Sequence, residues 1–115
     1  MGDPKDHLYI LWTSGDPITA EKMVFMYAIN SRLHGWWQDV TLIIWGASTV
    51  LTANQPHIQA LIREALDSGV KVTACKRCAE ELGVTSQLEA MGIEVIYWGQ
   101  PLTELLRSGQ TLLTI

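Results

Sequence analysis

The chain has little charge and no long apolar run. Charged residues make up 17% of its 115 positions, compared with roughly a quarter in an average soluble domain. The 12 acidic and 8 basic residues give a formal net charge of −4, which is the wrong sign for a broad nucleic-acid surface. No stretch approaches the roughly 18 consecutive apolar residues of a membrane span. We therefore expect neither a nucleic-acid partner nor a membrane partner.

Cysteine and histidine are also scarce. Two cysteines, Cys75 and Cys78, are too few for a disulfide framework. The three histidines are His7, His34 and His57, and their scattered positions offer no second half for a zinc site. We expect no bound metal and no cofactor, since no glycine-rich nucleotide motif occurs either. Residues 1–7 lack the apolar segment of a signal peptide, which favours a cytoplasmic protein.

What the chain does have is apolar material, at 48% of its residues. A chain of this length typically forms one domain with its own core. We predict a single domain over residues 1–115, with residues 1–6 as a loose N-terminal end.

Short apolar segments alternate with helical ones along the chain. Near-continuous apolar strands that alternate with helices are typical of a parallel sheet between helical layers. The sequence predicts a three-layer α/β/α domain, flavodoxin-like in outline, with a five-stranded, mainly parallel sheet. The predicted strands are residues 8–13, 40–45, 70–74, 94–98 and 111–115, and the predicted helices are residues 18–33, 56–68, 77–82, 85–91 and one starting at 101; residues 49–55 are interpreted as a connection.

The first predicted helix is apolar nearly all round between Met23 and Ile29. A helix that covers one side of a sheet needs only an apolar stripe. The additional apolar surface predicts a homo-oligomer in which this helix contacts another subunit.

Several unusual residues fall where the predicted strands end. In open parallel sheets, ligands bind beyond the carboxyl ends of the strands. Those ends predict one pocket, and its candidate residues are Trp12, Gly15, Trp45, Gly46, Cys75, Trp98 and Gly99.

Cys75 stands at the junction of a strand and a short helix. A helix N-terminus favours an anion, and the neighbouring Lys76 and Arg77 are basic, so both features favour the reactive thiolate form. Cys78 lies about one helical turn further on, on the same face, and could shield or resolve Cys75. We predict Cys75 as a nucleophile, Cys78 as an auxiliary residue, and Lys76 and Arg77 as parts of the site. A dithiol redox pair and two simply buried cysteines remain alternatives.

Residues 69–84 read GVKVTACKRCAEELGV, and this stretch resembles the DsrE/DsrF-like family. The resemblance implies a small α/β/α domain that assembles as a trimer or hexamer. It also implies that Cys75 accepts sulfane sulfur as a persulfide and passes it to a partner protein, with Cys78 present in only some relatives. The function expected is therefore that of a small cytoplasmic sulfur carrier or sulfurtransferase-like subunit. A dithiol redox protein, or a non-catalytic ligand-binding or structural subunit, is the alternative.

Overall fold

A computed structural model describes residues 3–115 of the chain. Its elements, in chain order, are β1 (His7–Trp12), α1 (Pro17–Thr19), a π-helical segment (Ala20–Phe25), α2 (Met26–Leu33), β2 (Asp39–Ile44), α3 (Ala47–Asn54), α4 (Pro56–Asp67), β3 (Lys71–Cys75), α5 (Lys76–Leu82), α6 (Thr85–Ala90), β4 (Glu94–Ile96), α7 (Gly99–Arg107) and β5 (Thr111–Thr114).

The five strands form one sheet in the order β4-β3-β2-β1-β5. Every neighbouring pair is parallel, which confirms the predicted α/β class and five-stranded sheet. The connections from β1 to β4 all move in one direction along the sheet, whereas the connection to β5 returns past β1. Because parallel crossovers are right-handed, this last connection places α7 on the opposite face from the other helices.

The two faces of the sheet are consequently covered to different extents. The main core lies on one face, where strand residues such as Ile10 and Leu42 pack with the π-helical segment, α2 and α4. The other face, which we call the α7 face, carries a smaller cluster centred on Tyr9, Ile43 and Leu105. A single nine-residue helix covers this second face, so part of it stays accessible.

Helix α3 (Ala47–Asn54) occupies most of residues 49–55, which the sequence predicts as a connection. Two of its buried hydroxyl side chains bond backbone groups: Ser48 Oγ accepts the Trp45 N–H at 3.1 Å, and Thr52 Oγ1 donates to Ser48 O at 2.9 Å. Serine and threonine have modest helix propensity. Tertiary burial therefore decides the conformation of this segment.

In the segment that the sequence predicts as a loose N-terminal end, the residues that the structure describes make hydrogen bonds to the sheet. Asp6 O accepts the backbone N–H of Asp39 at 3.0 Å, and Pro4 O accepts the Thr111 hydroxyl at 2.5 Å. These bonds tie residues 3–6 to the start of β2 and to β5. Met1 and Gly2 lie outside the described residues.

The helix between Met23 and Ile29 is less exposed than its composition indicated. Val24 and Phe25 are fully buried, whereas Met23 and Met26 are 40% and 49% exposed. Most of its apolar surface thus belongs to the core, and two methionines remain outside. Among residues 3–115, no helix is both long and apolar enough to cross a bilayer.

Candidate functional site

Cys75 is the last residue of β3 and the N-cap of α5. Its side chain lies on the α7 face, in the cluster that contains Tyr9, Trp98 and Leu105. Cys75 is only 4% exposed, and it shares this cluster with Trp98 and with Leu105 of α7. The structure thus places this cysteine at the expected edge of the sheet, but covered.

Cys78 is the third residue of α5 and lies beside Cys75. Cys78 packs against the cluster that contains Cys75, and both the Cys75 thiol and the backbone N–H of Gly46 lie near enough to its sulfur to shift its pKa. Both cysteines are free, and Cys78 is the more exposed of the two. Burial raises the pKa of Cys78, the Gly46 N–H lowers it, and the Cys75 thiol adds to the upward shift. The site is therefore a contacting thiol pair in which one sulfur reaches the surface.

The loops after β1 and β2 complete the edge of this site. Gly46 has a φ of 76° and a ψ of −134°, a conformation that residues with a side chain rarely adopt. Gly15 lies against the same loop, because a Cβ added to it would stand 3.1 Å from the Cβ of Ala47. Of the predicted glycines, Gly15 and Gly46 therefore shape this loop, in which the Gly46 N–H lies near the Cys78 sulfur and acts to lower the pKa of that thiol.

Replacing Gly46 with alanine is expected to raise the pKa of Cys78. The added Cβ strains the positive φ by about 1–3 kcal/mol, and a shift of the loop weakens the N–H that stabilises the thiolate. The rate of iodoacetamide alkylation of Cys78, followed against pH, should move to higher pH. Gly83→Ala is the control for backbone strain, since Gly83 also has a positive φ of 69° but makes no bond to the sulfur. An unchanged alkylation profile in Gly46→Ala would contradict the assigned role.

Two of the three predicted tryptophans lie at the cysteines. Trp98 is 6% exposed and packs in the same cluster as Cys75, and its Nε1 donates to Thr73 Oγ1 at 2.9 Å. Trp45 is half-buried against this cluster, as is Cys78. The third, Trp12, belongs to the main core on the opposite face, where its ring meets Phe25 edge-on at 5.2 Å. Successive strand residues face opposite ways, so Trp12 does not line this site.

The predicted basic residues are engaged away from the sulfurs. The Lys76 ammonium lies 5.3 Å from the centre of the Tyr97 ring, and Arg77 Nε donates to Glu81 Oε1 at 2.9 Å. Gly99, the first residue of α7, is exposed. Neither basic side chain is among the groups that shift the pKa of Cys78, whereas the Gly46 N–H acts to lower it and the Glu81 carboxylate acts to raise it.

A cavity of about 170 Å³ on the α7 face was not expected from the sequence. His7 Nε2 and Thr41 Oγ1 form a 2.8 Å hydrogen bond on its wall, and Lys71 and Glu94 form a 3.7 Å ion pair there. Burial lowers the pKa of His7. Trp98 lines this cavity as well as packing in the Cys75 cluster. The one feature of the sequence that could have predicted this cavity is the alternation of residues along the strands, which places His7, Thr41 and Lys71 on the same face. Between residues 3 and 115, no three potential His, Cys, Asp or Glu ligands lie together as a metal site would require.

The similarity to known proteins covers nearly the whole chain. The model of the DsrE/DsrF-like family matches residues 7–115. The conserved protein of unknown function BT1422 from Bacteroides thetaiotaomicron is 45% identical, with a TM-score of 0.94 over 96% of this chain and 95% of that chain. The ychN protein from E. coli shares the fold, with a TM-score of 0.72 and 18% identity over 96% of this chain and 99% of that chain. No curated protein matches the chain.

Proposed function

The chain belongs to the DsrE/DsrF-like family, and from this premise we propose that it carries sulfane sulfur as a persulfide on Cys75. The family is associated with sulfur relay. The chain would then act as a small sulfur-carrier or sulfurtransferase-like subunit. It would accept one sulfur atom from a donor protein and deliver it to an acceptor protein.

The observation that carries this proposal is the contacting thiol pair within an apolar cluster. In the transfer, a cysteine thiolate attacks the outer sulfur of a donor persulfide, and the donor leaves as its own thiolate. One S–S bond forms and one breaks, so no external oxidant or reductant is needed. Trp98 and Leu105, which pack with Cys75, would keep water and competing thiols away from the bound sulfur.

The test is to load the protein with a low-molecular-weight persulfide, remove the donor, alkylate and measure the intact mass. We expect the wild type to gain about 32 Da beyond the alkyl groups, which is one sulfur atom. Trypsin cleaves after Lys76 and Arg77, so Cys75 and Cys78 fall in separate peptides, and the sulfur should map to the peptide of Cys75. Cys75→Ser should retain less than about a tenth of it, because exposed persulfides exchange readily. Equal retention in Cys75→Ser and the wild type, or no gain in either, rules the proposal out.

A dithiol redox function is favoured by the same contact between the two sulfurs. It requires a reversible Cys75–Cys78 disulfide, whose formation removes two hydrogen atoms instead of adding a sulfur. Cys78→Ser should abolish that redox activity, so a variant that remains fully active would count against it. A non-catalytic ligand-binding or structural subunit would carry no sulfur at all under the loading conditions above.

We also propose that the protein is a cytoplasmic homo-oligomer, a trimer or hexamer, assembled through the helix from Met23 to Ile29. The exposed apolar side chains that support this are Met23, Met26 and, nearby in the chain, Ile18, Leu33 and Trp36. Covering them would remove apolar surface from water. The measurement is the sedimentation coefficient of the wild type and of a Met23→Glu, Met26→Glu double variant. We expect the wild type to sediment as an oligomer and the variant as a monomer, and equal coefficients would contradict this subunit contact.

A further inference from the structure

The two cysteines differ in their accessibility to a large partner. Cys75 is 4% exposed, whereas Cys78 is only half-buried. Sulfur transfer between two proteins requires the attacking sulfur to approach the donor S–S bond in line, and access limits the rate. A persulfide held on a folded donor protein can therefore reach Cys78, while Cys75 is covered by α7 and Trp98.

The contact between the two sulfurs supplies a path from the accessible position to the covered one. Cys75 is the N-cap of α5 and Cys78 its third residue, and this spacing brings their side chains to the same side of the helix start. Cys78 also packs against the cluster that contains Cys75. Because both residues lie in regular backbone, at a strand end and in a helical turn, this proximity is built into the fold.

Gly46 supplies the Cys78 sulfur with a partner that partly offsets the effect of burial on its thiolate. The backbone N–H of Gly46 lies near the Cys78 sulfur and acts to lower the pKa of that thiol, and the positive φ of 76° that sets the direction of this N–H is adopted readily only by glycine. An N–H in this position favours a thiolate. Such a group suits a sulfur that first attacks a donor and then departs as a leaving group.

We propose that Cys78 is the entry cysteine and that sulfur then moves within the chain to Cys75; this inference rests on the proposed function. In the first step, the Cys78 thiolate attacks the outer sulfur of the donor persulfide, which gives Cys78–S–SH and the donor thiolate. In the second step, the Cys75 thiolate attacks the outer sulfur of Cys78–S–SH. The Cys78 thiolate leaves, and Cys75–S–SH is formed. Each step breaks one S–S bond and forms another, with no net oxidation.

The covered position of Cys75 then serves as the storage site. Its neighbours on the α7 face are apolar or aromatic, with Tyr9, Trp98 and Leu105 in one cluster. A persulfide in such surroundings is shielded from thiols in solution. Delivery to an acceptor runs through the same two steps in reverse, so that the partner protein contacts only Cys78.

The experiment compares two donors of different size. One is hydrogen polysulfide in solution, and the other is a persulfide formed on serum albumin, a folded protein. The rate of sulfur gain on the Cys75 peptide is measured for both donors in the wild type and in Cys78→Ser. We expect the ratio of the albumin rate to the polysulfide rate to fall at least about tenfold in Cys78→Ser, since the covered thiol alone excludes a large donor. Ser86→Ala, an exposed residue of α6, should leave that ratio unchanged.

A second variant keeps the result independent of how Cys78→Ser folds. In Cys75→Ser alkylated while the donor is still present, albumin persulfide should label the Cys78 peptide as rapidly as it labels the wild-type chain, although this label is lost after the donor is removed. An unchanged rate ratio in Cys78→Ser overturns the relay, as does the absence of label on Cys78 in Cys75→Ser. A Cys75–Cys78 disulfide with released sulfide also overturns it, because attack then occurs at the inner sulfur. If polysulfide fails to load the wild type, the proposed function itself fails.

Discussion

Replacing Trp12 with alanine is expected to lower the free energy of unfolding by about 3–5 kcal/mol. Trp12 is fully buried at the end of β1. Its ring meets Phe25 at a centroid distance of 5.2 Å and an interplanar angle of 80°, an edge-on geometry that adds to the apolar burial. Truncation leaves a cavity between the sheet and the π-helical segment, which the surrounding backbone can fill only in part.

Urea unfolding followed by far-UV circular dichroism at one fixed protein concentration measures this loss. Leu106→Ala is the control, because Leu106 is 59% exposed and lies outside the proposed subunit contact, so its truncation should cost less than about 1 kcal/mol. A similar loss in both variants would contradict the assignment of Trp12 to the core. Trp12→Phe should retain sulfur loading, since the ring lies on the face opposite Cys75.

Trp12 also shows where prediction from the sequence succeeds and where it stops. The apolar strands and their alternation with helices predict the parallel sheet, because each strand is buried on both faces. The position of Trp12 at a strand end follows from the same pattern. Neighbouring residues of a strand point to opposite faces, so a slip of one residue in the register of β1 would move the Trp12 ring to the other face of the sheet. The sequence alone does not determine that register.

The cysteine site was predictable to a similar degree. The strand-to-helix junction at Cys75 and its proximity to Trp98 follow from the rule that strand carboxyl ends share one edge of the sheet. The burial of Cys75 cannot be predicted from that rule, because it depends on the chain crossing to the opposite face of the sheet after β4, where α7 lies. Likewise, the contact between Gly46 and Cys78 joins residues far apart in the chain. Both features arise from tertiary packing, and they determine which sulfur a partner can reach.

Replacing Thr73 with valine is expected to lower the free energy of unfolding by about 2–4 kcal/mol. Thr73 is fully buried in β3. Its hydroxyl donates to Glu94 O at 2.8 Å and accepts the Trp98 Nε1–H at 2.9 Å. Valine keeps the volume but leaves the buried indole N–H of Trp98 without its acceptor, and an unpaired buried donor bears its full desolvation cost. Thr103→Val, an exposed residue whose hydroxyl bonds Gly99 O within α7, should cost less than about 1 kcal/mol.

The origin of the Thr73→Val loss can be tested by removing the indole as well. If the stranded N–H causes the loss, Thr73→Val should cost about 1–2 kcal/mol less in a Trp98→Phe background than in the wild type. Additive losses would instead attribute the cost to strand packing.

Because Trp98 packs in the same cluster as Cys75, loosening its ring should also uncover that sulfur. In a Cys78→Ser background, where Cys75 is the remaining thiol, Thr73→Val should therefore speed the reaction of Cys75 with a bulky disulfide reagent. A rate unaffected by Thr73→Val would show that the Thr73–Trp98 bond does not hold the cover over Cys75.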